Sequence, residues 1–150
     1  MTEQFNEGEI KITAFEVNKW NNTWNKYKQW QSRIFIITDK CIYNFRESKV
    51  MRREIWIRQL KGITRHVEEG MNEMVLHITN ESDIFIKCNQ TKNLMEILKL
   101  QYMTLRNENL PIYGAINVKE LKNYITDTCD NEKCKNTTFC NRMFQEDIKP

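Results

Sequence analysis

The sequence predicts a mainly β domain, a seven-stranded antiparallel barrel or sandwich capped by a C-terminal α-helix. Three observations predict it. Short runs rich in β-branched and aromatic residues, separated by polar turns, fill residues 10–87 without a sustained helical period. The apolar period then changes from two to about 3.6 over residues 91–106. Consecutive strands followed by one helix leave an open-ended barrel that the helix can plug, and 150 residues suit one such domain with an extension.

The first strand is expected near 10–19 (IKITAFEVNK), where Ile10, Ile12 and Ala14 alternate with Lys11 and Thr13. Residues 20–31 (WNNTWNKYKQWQ) hold three Trp, one Tyr and two Lys with no consistent period, so they read as a long connection. RIFIIT at 33–38 and CIYNF at 41–45 form a hairpin, because Asp39-Lys40 is short enough for a tight turn. A second hairpin over 46–49 leads into strands at 50–57 and 60–67, with Gly62 marking a bulge or a close backbone approach. After the turn at 68–72, MVLHI at 74–78 and DIFIK at 83–87 make the last hairpin.

The helix over 91–106 turns Leu94, Ile97, Leu98, Tyr102 and Leu105 to one face and Lys92, Lys99 and Arg106 away. Thr91 or Asn89 is the expected N-cap, and the Asn107-Glu108-Asn109 break before Pro111 ends the element. The division expected is a leader at 1–9, the domain at 10–106 and an extension at 107–150. That extension carries a short helix over 118–125 and then a flexible end.

Composition narrows the function. Seven Phe, five Tyr and four Trp among 40% hydrophobic and 29% charged residues exclude a disordered chain. No apolar run reaches the ~18 residues of a membrane span, and MTEQFNEGEI resembles no secretory leader, so a cytoplasmic place is expected. Five cysteines, with Cys41 and Cys88 inside apolar runs, predict free thiols and no disulfides. The net charge of +3 hides an asymmetry: between Lys11 and Arg65 thirteen Lys and Arg face four acids, a local excess of +9. One face is therefore suited to an anionic partner.

Catalytic machinery is not visible. His66 and His77 stand apart in predicted strands with no motif that would recruit either as a base, so packing accounts for both. Cys129, Cys134 and Cys140 lack a fourth zinc ligand. Phosphate loops, GxGxxG turns, HExxH and nucleophile elbows are all missing from the sequence, so no metal, cofactor or catalytic residue is expected.

Collinear segments carry a family likeness: RIFIITDKCIYNF, then RREIWIRQLKGIT, then NEMVLHITNESD, then the amphipathic helix. Arg33, Ile34 to Ile37, Thr38-Asp39-Lys40, Tyr43-Asn44, Arg52-Arg53, Ile55, Ile57, Lys61 to Thr64 and Glu73 to His77 stand in the right order. Over residues 10–106 the chain resembles the myosin-I tail-homology domain, a pleckstrin-homology-like fold, of which similar modules occur in protist proteins. It departs from that pattern in a longer connection between Lys19 and Arg33 and in Trp56, where relatives often have Pro.

The resemblance implies a non-catalytic binding module that takes phosphoinositide headgroups with Lys19, Lys26, Lys28 and Arg33. Strand ends can aim several cations into one concavity, and Arg adds a planar fork for two phosphate oxygens. Trp24 and Tyr27 are the aromatics expected to dip among headgroups, while others of the Trp20–Trp30 set close the barrel end. Arg46, Lys49, Arg52 and Arg53 are secondary basic contacts. The expected partners are acidic phospholipid headgroups, with peripheral attachment to a membrane, or alternatively a protein docked on a strand edge or on the helix. Nucleic acid ranks last, because no RNP-like or OB-fold signature accompanies the basic stretch.

Overall fold

The structure is a computed structural model that describes residues 5–20, 30–46, 51–66, 72–115 and 143–145. Alternating apolar residues build the strands β1 (Lys11–Trp20), β2 (Trp30–Thr38), β3 (Cys41–Phe45) and β4 (Met51–Trp56), which run as one antiparallel meander. A single 3-10 turn, Ile57–Gln59, leads into β5 (Leu60–His66), β6 (Glu73–Ile78) and β7 (Ile84–Lys87), a second meander. The end of β1 also pairs with β7, through Asn18↔Lys87 and Lys19↔Ile86, so the two meanders join into one folded sheet. Helix α1 (Thr91–Arg106) follows directly. The expected pleckstrin-homology-like plan, mainly β with one helix after the seventh strand, is the architecture observed.

One core fills this fold. Phe15, Val17, Phe35, Ile37, Ile42, Ile55, Ile63, Leu76 and Ile86 project inward from successive strands, and Leu94, Leu98 and Tyr102 of α1 close over them. Each such side chain contributes about 1.5–3 kcal/mol by leaving water. Cys41 and Cys88 are buried free thiols, as their apolar neighbours predict.

Four local features differ from the sequence reading. β2 begins at Trp30, because residues 30–32 pair with Trp20, Lys19 and Asn18 rather than staying in the loop. Gln90 occupies the N-cap of α1 without a side-chain bond, so neither Thr91 nor Asn89 caps it; the amide of Gln90 is held by the Cys88 thiol at 3.3 Å instead. Leu105 is 37% exposed, since α1 ends in left-handed Asn107 and the returning chain brings Leu110 and Ile112 into the core. Those returning residues also add strands: β8 (Ile112–Ala115) lies parallel to β5, and β9 (Met143–Gln145) pairs with β8. The helix expected at 118–125 and Cys129, Cys134 and Cys140 fall outside the described residues.

Gly62 is both things its sequence context suggests. The register shifts between Leu60 and Gly62, and a Cβ there would stand 2.7 Å from the Tyr113 ring and 3.0 Å from the Pro111 carbonyl. The residue thus admits β8 against β5, where the amide of Ile63 donates to that carbonyl at 3.0 Å.

Residues 5–10 are part of the fold as well. Phe5 stacks at 5.1 Å on Tyr43, over a small outer cluster of Ile36, Cys41, Tyr43 and Phe45. Glu9 accepts hydrogen bonds from the hydroxyls of Thr38 and Tyr43 and from the amide of Asn6. The Asp39 amide donates to the Ile10 carbonyl and the Ile10 amide to the Asp39 carboxylate, which ties the same segment to the tight β2–β3 turn that Thr38 organises by accepting from the amides of Lys40 and Cys41. Burial pushes the Glu9 carboxyl up, but these hydrogen bonds outweigh it and hold the group below its ordinary value.

Candidate basic site at the first hairpin

Lys19 and Arg33 are set by the β1–β2 ladder. Lys19 pairs with Gln31 and Val17 pairs with Arg33, so the two cations are diagonal neighbours on one face. Gln31 stands opposite Lys19 on that face, and its side-chain oxygen accepts from Arg33 Nη2 at 2.6 Å. Arg33 Nη1 donates to the Ser32 carbonyl at 2.8 Å, which leaves the guanidinium oriented by its own strand. Lys26, Lys28, Trp24 and Tyr27 belong to the 21–29 connection and lie outside the described residues.

That connection springs from an aromatic base. Trp20 and Trp30 are direct cross-strand partners with ring centroids 5.2 Å apart, edge to face. Both rings reach Phe85 of β7, at 6.0 and 5.1 Å. Aromatic cross-strand pairs of this kind stabilise a sheet by about 0.5–1.5 kcal/mol beyond burial, so the two tryptophans pin the roots of the connection.

Beside this base is a cavity of about 320 Å³ lined by Glu16, Asn18, Ser32, Arg33, Lys87 and Asn89, among others. Two cations and several neutral polar groups suit an anion with more than one oxygen, while Glu16 opposes excess negative charge. Lys87 stands 4.2 Å over the Trp30 ring and 3.9 Å from Glu73. Sequence reasoning missed Lys87 and Gln31. Lys87 carries no local signal, because its place beside Asn18 depends on pairing between strands remote in sequence.

The secondary basic residues divide. Arg46 is exposed at the end of β3. Arg53 is engaged across the fold, donating to the Ser82 carbonyl at 2.9 Å and pairing with Glu81 at 3.3 Å. It braces the β6–β7 turn. Lys49 and the side chain of Arg52 lie outside the described residues.

The histidines are buried, as packing predicts, yet both have polar partners that sequence spacing does not reveal. His77 Nδ1 lies 2.7 Å from Asp83 and Nε2 lies 2.5 Å from the Thr64 hydroxyl. A neutral ring donating to the carboxylate and accepting from the hydroxyl satisfies all three groups. This Thr-His-Asp arrangement has the order of a nucleophile, base and orienting acid, but Thr64 and His77 are both 0% exposed. With no access for a reactant, it serves as a satisfied buried network. His66 pairs instead with Glu73 at 3.3 Å.

Among the described residues no group of His, Cys, Asp and Glu could hold a metal ion, and no helix is long and apolar enough to cross a membrane. No family model and no curated protein matches the chain. Solved structures do. The hSac2 domain from the human phosphoinositide phosphatase Sac2 is similar at a TM-score of 0.55 and 10% identity, over 72% of this chain and 79% of that one. The C-terminal domain of an unknown protein from Leishmania infantum is similar at 0.52 and 15% identity, over 64% and 86%. The Slm1-PH domain in complex with inositol-4-phosphate follows at 0.48 and 11% identity, over 63% and 95%. Likeness at these identities concerns the fold alone.

Proposed function

We propose that this chain is a non-catalytic module that attaches to the cytoplasmic surface of a membrane by binding phosphoinositide headgroups. The observation that carries the reading is the β1–β2 register, which sets Lys19 and Arg33 on one face, where the 21–29 connection with Lys26 and Lys28 begins. The cavity with Arg33 and Lys87 supplies a concave place beside them for a phosphorylated ring. Each cation near an anionic surface contributes about 1 kcal/mol, so four or five give reversible attachment. Trp24 and Tyr27 are assigned the shallow contact with headgroups.

The test is co-sedimentation with neutral vesicles that contain or lack phosphoinositides. Wild-type protein is expected to pellet with the phosphoinositide vesicles and to be released as salt rises, because exposed charges are screened over about 8 Å at physiological ionic strength. Protein that ignores these vesicles at low salt overturns the reading. The second reading then takes its place: Leu100, 62% exposed, and Met103 give α1 an outer apolar edge for a protein partner.

A further inference from the structure

One row of paired residues crosses the sheet. Glu73 pairs with Lys87, Lys87 with Asn18, and Asn18 with Ser32. At the other end His66, the residue after the Arg65↔Met74 pair, meets Glu73. Directly opposed residues share a face of a sheet. The row therefore runs from an imidazole that is 2% exposed to three side chains, Lys87, Asn18 and Ser32, that line the cavity beside the first hairpin.

Glu73 is the hinge of this row. One carboxylate oxygen lies 3.3 Å from His66 Nε2 and the other 3.9 Å from Lys87 Nζ. We propose that Glu73 is a positioning residue that couples protonation of His66 to the binding of an anionic, phosphate- or sulfate-bearing ring in the cavity, so that binding tightens as pH falls. The inference rests on the headgroup reading given above and names a control on the same site.

The physical reason is the order of charges. With His66 neutral, an anion beside Lys87 adds to a row that reads negative, positive, negative, and the anion is repelled by Glu73. Protonating His66 makes the row positive, negative, positive, negative, in which each neighbour attracts the next. Linkage then requires the converse: an anion in the cavity raises the proton affinity of His66 by the same factor.

The other groups around His66 set the direction. On its own strand Arg65 donates to the His66 carbonyl at 2.8 Å, a cation that opposes protonation. β8 presents the backbone of Ala115, the register partner of His66. From β7, Lys87 acts through Glu73. Nδ1 of His66 is buried and has no hydrogen-bond partner among the described residues. Glu73 is thus the group among them that can compensate a charged ring.

The experiment is calorimetric titration of the full chain with inositol hexasulfate at pH 5.5 and pH 8.0 in low salt. Sulfate esters stay ionised across this range, so the probe adds no titration of its own. Wild-type protein should bind about tenfold tighter at pH 5.5, a coupling of ordinary size. Glu73→Gln should bind equally at both values, and at pH 8.0 more tightly than wild type, because Lys87 is released. His66 and His77 are the two histidines of the chain. Proton NMR of the wild type should show the His66 ring titrating at higher pH when the probe is present and His77 unmoved, a readout that stands even if the Gln variant fails to fold. Equal wild-type affinity at both pH values, a pH slope kept in a folded Glu73→Gln, or an unmoved His66 titration overturns the coupling and leaves the headgroup reading standing. Absence of binding at both pH values overturns the two together.

Discussion

The Tyr43 hydroxyl donates a 2.6 Å hydrogen bond to the carboxylate of Glu9, thirty-four residues earlier in the chain. This contact fastens the segment before the first strand to the outer face of β3. It also gives the fold an acid-sensitive point, because the Glu9 carboxyl is held below its ordinary value by Thr38, Tyr43 and Asn6 against the opposing effect of burial.

Glu9→Gln is expected to lower stability by about 1–3 kcal/mol at pH 7, the range for losing hydrogen bonds to a charged group. The sign of the pH effect follows from the lowered folded value. Stability from Glu9 is present above the ordinary carboxylate range, about 4.3, and is lost as pH falls from there through the folded value. Urea melts at pH 7 and at pH 3 should therefore show a smaller acid loss in the variant than in wild type. Equal losses would mean that Glu9 is not the group responsible.

Gly62→Ala should cost about 1–3 kcal/mol through overpacking against β8. The Tyr113 ring would meet the new methyl at 2.7 Å and the Pro111 carbonyl at 3.0 Å. A Tyr113→Ala background removes the first obstacle and not the second, so it should relieve part of the loss. Additive melting shifts in the double variant would contradict this close approach.

Asp83→Ala removes the acceptor of both His77 Nδ1 and the Ile78 amide. Its cost should reach about 1–3 kcal/mol for each of the two buried donors left without a partner. Thr64→Val removes one hydroxyl beside His77 and should cost about 1–2 kcal/mol. Chemical denaturation separates the two, and the order of the costs is the informative result.

Replacing Lys19 and Arg33 together by Gln should abolish sedimentation with phosphoinositide vesicles and shift the melting temperature by only a few degrees. The bonds of Arg33 to the Ser32 carbonyl and the Gln31 side chain are local to β2, and the backbone ladder between β1 and β2 does not depend on either side chain. Two charge-assisted phosphate contacts of about 1.5–3 kcal/mol each correspond to at least a hundredfold in affinity. A folded double variant that still binds would move the site elsewhere on the basic face.

Local chemistry in the sequence was enough to place most strands, the helix and the tight Asp39-Lys40 turn. RIFIIT and CIYNF alternate or run apolar, Asp39-Lys40 can only turn tightly between them, and the 3.6 period after Cys88 admits one helix face. The β1–β2 hairpin that carries Lys19 and Arg33 was legible in the same way, whereas their headgroup role is what the family resemblance implies. What only tertiary structure decided depends on pairing between distant segments. Lys87 reaches the cavity because β7 pairs with the end of β1, and Arg53 turns to Ser82 and Glu81 because the fold brings the β6–β7 turn to β4. Phe5 and Glu9 join the fold because β3 leaves an apolar outer face that they cover. Thr64, His77 and Asp83 meet because β5, β6 and the following turn converge, and burial there demands a partner for every polar atom. Periodicity records which side of a strand faces inward; it holds no record of which remote strand stands beside it, and the side chains at those junctions are set by that choice.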